Sequence, residues 1–129
     1  MSPTPIAVSG ITNAKVVAGG QTMCTLESTG DVYCWGLSGT EIPGSYGVDA
    51  GCYGYVPVPG NCIPTPVKVA GVEASSLSAG PSAAMAITTQ GKVVAWGGNG
   101  LGALGHPLGT AGDDSNDNNP TPTAVQGLP

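Results

Sequence analysis

The chain has 129 residues, the length of one ordinary domain, and carries 3 Lys and Arg against 8 Asp and Glu, a formal charge of −5. That balance excludes the basic footprint of a nucleic-acid binder and attraction to anionic membrane surfaces, and 40% hydrophobic residues exclude a disordered chain. With 22 Gly and 12 Pro, long helices are excluded too, because an interior Gly costs about 1 kcal/mol and an interior Pro about 3; short strands joined by turns are predicted instead.

The chain opens on SPTPIAVSGI (2–11), which returns as IPTPVKVAGV (63–72) and again as NPTPTAVQGL (119–128). Between the copies lie VVAGGQTMCTLESTGDVYCWG (16–36) and LSAGPSAAMAITTQGKVVAWG (77–97), which align without gaps at an offset of 61. Ala18/Ala79, Gly19/Gly80, Gly30/Gly91, Val32/Val93, Trp35/Trp96 and Gly36/Gly97 are identical pairs. Such self-similarity marks stacked structural units.

Each unit reads as four strands. The first lies near 14–18, or 74–79 in the second unit, and ends at Gly19 or Gly80, where a close turn needs no Cβ. The second covers Met23–Leu26. Ser28-Thr29-Gly30 then suits a three-residue hairpin loop with Gly in the left-handed position. Val32–Trp35 is the third strand. The Pro-Thr-Pro element is the fourth, its prolines at the strand start or on an exposed edge where no ladder donor is lost. An all-β fold of two four-stranded antiparallel propeller blades is predicted.

The run from Ala18 to Gly36, with Cys24, Leu26, Gly30, Val32, Tyr33, Cys34, Trp35 and Gly36, resembles the regulator of chromosome condensation repeat, in particular its bacterial extracellular versions. The resemblance implies a propeller, typically seven-bladed. Members serve as nucleotide exchange factors, chromatin binders or inhibitory protein-binding propellers such as the β-lactamase-inhibitory one. After Trp-Gly the family's short Asn/Gly/Gln-Leu-Gly turn is largely kept in GGNGLGALG (97–105), whereas the first unit has a long insertion, 37–62. The implied organisation is an outer strand 1–11 belonging to a neighbouring blade, blade 1 over 12–70, and blade 2 over 71–129 with a polar loop 98–119. No exchange motif matches residue by residue.

The four cysteines are Cys24, Cys34, Cys52 and Cys62. A three-residue loop at 28–30 sets Cys24 opposite Cys34 on one face, and in the second unit both become non-cysteine together, as Met85 and Ala95; a disulfide is expected. Cys52 and Cys62 then pair by elimination, with four-cysteine zinc ligation as the alternative, though no CxxC spacing supports it. A 52–62 bridge either staples a long loop or stiffens one that presents Tyr46, Tyr53 and Tyr55 to a partner. Disulfides and a surface of Ser, Thr, Gly and Asn with few Lys place the protein outside the cell, in the periplasm or at the cell surface. No 15-residue apolar run offers a signal peptide or a membrane span.

Asp113, Ser115, Asp117 and Asn119 alternate like the first ligands of a calcium loop, yet Asn118 stands where such a loop has Gly, and a turn-rich surface loop explains the same residues. His106 sits between Gly105 and Pro107 with no nucleophile motif beside it and reads as a loop histidine. GGNGLG (97–102) follows a strand end with no helix after it and reads as a turn. No catalytic residue, and no cofactor apart from that calcium, is expected.

Two blades cannot enclose a hub, so further blades are required, from copies of the same chain or from a longer parent chain. The Pro-Thr-Pro strand occurs three times and the hairpin core twice, leaving one strand to complete a neighbour. The sequence therefore points to a non-enzymatic structural or interaction module of an exported protein that assembles into a propeller, ring or filament. The alternative is a protein-binding propeller, inhibitor-like or adhesin-like, acting through loops 41–62 and 105–119.

Overall fold

A computed structural model describes residues 4–19, 22–37 and 62–128. Among them are eight strands: β1 (Ala14–Gly19), β2 (Thr22–Glu27), β3 (Val32–Leu37), β4 (Cys62–Lys68), β5 (Ala74–Ala79), β6 (Ala83–Thr88), β7 (Val93–Gly98) and β8 (Asn118–Ala124). They form two four-stranded antiparallel sheets, ordered β1-β2-β3-β4 and β5-β6-β7-β8. Each sheet is a meander, the topology of a propeller blade.

The β2–β3 hairpin closes through Glu27 N to Asp31 O (2.9 Å) and Gly30 N to Glu27 O (3.0 Å), with Gly30 at φ +93°. The β6–β7 hairpin repeats this with Thr88 N to Lys92 O (2.8 Å) and Gly91 at φ +80°. Only Gly adopts that conformation freely, which is why a Gly closes both loops.

Ladder partners correct the gapless alignment of the two units. Ala14 pairs with Glu27 and Ala74 with Thr88, so the first strands correspond at an offset of 60, while Cys24↔Cys34 and Met85↔Ala95 keep the later strands at 61. The turn after β5 holds one residue more than the turn after β1. Ala18 therefore corresponds to Ser78, not Ala79.

Both fourth strands lie on sheet edges, where the missing N–H groups of Pro64, Pro66, Pro120 and Pro122 cost no interior ladder bond. The register shifts opposite them, between Cys34 and Gly36 and between Ala95 and Gly97. The extra residues lie on the fourth strands, at 64–66 and 120–122, and Gly36 and Gly97 opposite them have φ +112° and +110°, a conformation that favours Gly.

Residues 4–13, which include most of the first Pro-Thr-Pro copy (2–11), form no strand. Among the described strands β3 and β7 already hold β4 and β8 on that edge. The turn that follows the element is nonetheless kept, with Gly10 at φ +86° and Gly71 at φ +80°.

One core joins the sheets. Cys24, Leu26, Val32 and Cys34 of the first meet Leu77, Ala84, Ala86 and Trp96 of the second, with Val69, Val72 and Ala74 from the connection between them. β5 lies against β1 and β2, and Ala74 N donates to Gly30 O at 2.8 Å.

Candidate functional site: two open sheet faces and a latched loop

Side chains alternate across a strand, so each blade has two faces. On blade 1 the ladder places Val16, Ala18, Cys24, Leu26, Val32, Cys34 and Val67 on one face, here termed forward, and all belong to the core. Val17, Met23, Thr25, Tyr33 and Trp35 share the rear face. On blade 2 the core residues Leu77, Ala79, Ala84, Ala86, Val94 and Trp96 form the rear face. Ser76, Ser78, Met85, Ile87, Val93 and Ala95 form its forward face. The forward face of blade 1 thus packs on the rear face of blade 2.

Among the described residues no blade lies over the two opposite faces. Val17 on the rear of blade 1 is exposed, as are Met85 and Ile87 on the front of blade 2. Residues 7–14 roof part of the rear face, leaving an apolar hollow of about 310 Å³ against Val17, Met23, Thr25 and Trp35. Asn13 fixes that roof: its N–H donates to Glu27 Oε2 (2.9 Å) and its carbonyl accepts from Ser28 N (2.9 Å). The buried Thr25 Oγ1 and Glu27 Oε1 find no partner beneath it.

Cys24 and Cys34 are joined by a disulfide with Cα atoms 4.1 Å apart, fully buried on the forward face of blade 1. Met85 and Ala95 hold the same positions on the forward face of blade 2. Cys52, Tyr46, Tyr53 and Tyr55 lie outside the described residues, as does any side-chain pairing of Cys62.

The loop between β7 and β8 runs from 99 to 117, since β7 reaches Gly98 and β8 starts at Asn118. It is tied by a cluster that the sequence reading missed. The side chains of His106 and Asp113 are both buried, with Nε2 2.7 Å from Oδ1. An ionised carboxylate only accepts, so Nε2 carries the proton. Asp113 Oδ2 accepts from Asn99 Nδ2 (2.9 Å) and Gly109 N (3.2 Å). Asn99 also donates to His106 O (3.2 Å) and accepts from Leu104 N (3.0 Å). Burial pushes the Asp113 carboxyl up, but the bonds from Asn99, His106 and Gly109 together hold it below its ordinary value. His106 is therefore a buried latch and not a plain loop histidine.

That latch redirects the calcium expectation. Asp113 spends its oxygens on donors of its own loop, and Asn119 donates to Ala111 O (2.9 Å) and accepts from Thr121 N (3.1 Å). Asp114, outside the alternating set, accepts from Asn116 and Asn118 N–H groups. Among the described residues no three His, Cys, Asp or Glu side chains converge as a metal cluster. Asp113, Asp114 and Asn119 thus hold the turn through side-chain hydrogen bonds, and Asp117 joins it through its main chain.

Residues 74–103, the length of β5 through β7 and the turn beyond, match the regulator of chromosome condensation (RCC1) repeat. The match falls on the second sheet, and both sheets have the fold of RCC1 propeller blades. Solved structures of RCC1 propellers carry the same fold. A chain in the crystal structure of Kap60 bound to yeast RCC1 (Prp20) matches with TM-score 0.69 and 22% identity, over 94% of this chain and 26% of that one. Prp20p from Saccharomyces cerevisiae, in a structure titled with its binding to Gsp1p and histones, matches with TM-score 0.68 and 23% identity, over 94% and 27%. Human WBSCR16 matches with TM-score 0.60 and 20% identity, over 92% and 27%. This RCC1-type pair of blades spans about a quarter of the length of each neighbour.

Proposed function

We propose that this pair of blades is a non-enzymatic protein-interaction module of an exported protein, assembling through further blades of its own kind into a propeller, ring or filament. The observation that carries the reading is the pair of uncovered sheet faces with Val17, Met85 and Ile87 exposed. A blade buries its apolar surface only against a neighbour, so both ends of the pair call for another blade. The buried Cys24–Cys34 bridge supports an oxidising location, extracellular, periplasmic or at the cell surface. The RCC1 neighbours, one solved with Kap60 and one characterised for binding to Gsp1p and histones, support an interaction role over a catalytic one. The buried His106–Asp113 pair supports the same choice, because it holds a loop and adjoins no described nucleophile.

A native-mass measurement across micromolar concentrations tests the reading. Particles at multiples of 12.5 kDa are expected; a single molecule of that mass throughout contradicts self-assembly. A second reading is favoured by the latch itself: loop 105–119, held by His106 and Asp113, would form with loop 41–62, which lies largely outside the described residues, a docking surface for a different protein. Loss of partner capture after trimming 41–62, with the blades still folded, supports that reading.

A further inference from the structure

Resting on the reading just given, we infer that the partner is a second copy docked head to tail, its blade 1 rear face on the forward face of blade 2, and that residues 4–11 occupy the flank of that interface until the copy arrives.

Inside the chain a forward face already fits a rear face. The faces left open are the other rear face, with Val17 59% exposed, and the other forward face, with Met85 and Ile87 41% and 43% exposed. The repeat makes these the counterparts of surfaces already in contact: Met85 and Ile87 correspond to the buried Cys24 and Leu26, and Met23 and Thr25 correspond to Ala84 and Ala86. The interface between copies therefore continues the interface within one. It is heterologous, joining unlike patches, and it closes a ring or grows a filament.

The internal contact also fixes the register. Gly30 O accepts from Ala74 N, and the counterparts are Gly91 O of one copy and Ala14 N of the next.

Residues 8–11 hold the place that 69–72 hold beside blade 2. Val69 is fully buried and bonded to Val32 O (2.8 Å), whereas Val8 is exposed and the preceding Ile6 is 81% exposed. In the docked pair the flank of one copy's blade 1 meets the end of the other copy's β8, and 125–128 (VQGL) repeats 8–11 (VSGI). Two segments compete for one place. Val125 N is held by Val93 O (3.1 Å) while Ile6 and Val8 stand exposed, so segment 4–11 is the one displaced.

The experiment uses the full chain, a chain lacking residues 2–11, and two surface variants, Val17→Asp and Met85→Asp/Ile87→Asp, each followed by sedimentation over a range of concentrations. The substituted residues are exposed, and circular dichroism with a thermal melt selects the variants that keep the parent fold. Each variant alone is expected to stay monomeric, and an equimolar mixture is expected to stop at twice the monomer mass, one good interface remaining. Removing 2–11 is expected to tighten association by the inverse of the fraction of molecules already displaced, about tenfold where that fraction is about one in ten. Association of either variant by itself as strongly as the full chain, or a mixture that stays monomeric while the full chain associates, overturns the head-to-tail arrangement and leaves self-assembly standing. Equal or weaker association without 2–11 overturns the displaced flank. If neither the full chain nor the shortened one associates, the self-assembly reading falls and this inference with it.

Discussion

Trp35 and Trp96 occupy the same rear-face position in two blades, yet Trp96 is fully buried while Trp35 is only half-buried. Their sequence surroundings are alike; what differs is the blade in front of them. Trp96 lies under the forward face of blade 1, and Trp35 faces an apolar hollow roofed by residues 7–14.

Replacing a fully buried Trp by Ala costs about 3–5 kcal/mol through lost transfer energy and the cavity left behind. Trp96→Ala is expected to fall in that range. Trp35→Ala is expected to cost less than Trp96→Ala, since less of its surface leaves water on folding. Urea unfolding of both variants under dilute conditions checks the order.

The Cys24–Cys34 bridge closes a short loop, and removing it as Cys24→Ala/Cys34→Ala is expected to cost about 2–3 kcal/mol. Both cysteines are fully buried, so a reductant reaches them only on opening. Pulsed alkylation with peptide mapping is expected to label this pair only where the blade unfolds.

Stability is expected to fall in acid through Asp113. Its carboxyl lies below the ordinary value when folded, so its contribution is complete above the unfolded value of about 4 and is lost as pH falls through the folded one. Asp31, held down by Lys68, and Asp114, held down by the N–H groups of Asn118 and Asn116, act in the same sense from exposed positions. A melting series from pH 7 to strong acid checks this: Asp113→Asn is expected to melt lower than the parent at neutral pH and to lose less on acidification.

Much of the fold was legible in the sequence because the repeat and the period of two act over a few residues. The hairpin loop 28–30, the register of Cys24 with Cys34 and the edge place of the prolines all follow from local chemistry. The slip of one residue between β1 and β5 was not legible, since Ala18/Ala79 and Gly19/Gly80 match by identity while the longer turn 80–82 carries no signal of its own. Nor was the latch: Asn99, His106 and Asp113 lie seven residues apart, and only folding turns the imidazole inward. The open faces needed the sheets paired first, although the alternation Ala84-Met85-Ala86-Ile87 already showed one side of small residues and one of large.

Gly30 and Gly91 separate turn strain from interface strain. At both, Ala meets the cost of a left-handed residue, about 1–2 kcal/mol. A Cβ at Gly30 additionally comes within 2.8 Å of Glu73 Cγ on the next blade, whereas one at Gly91 meets nothing within 4 Å. Gly30→Ala is expected to destabilise the dilute protein more, and Gly91→Ala to weaken association between copies, where Asn13 of the next copy takes the place of Glu73. Thermal unfolding reads the first effect and sedimentation the second.

The most direct test is acrylamide quenching of single-tryptophan proteins, Trp96→Phe reporting Trp35 and Trp35→Phe reporting Trp96, from nanomolar to high micromolar concentration. Trp96 is expected to be shielded throughout, and Trp35 to pass from accessible to shielded as concentration rises. Equal accessibility of the two in dilute solution, or a Trp35 that stays accessible at every concentration, contradicts the account.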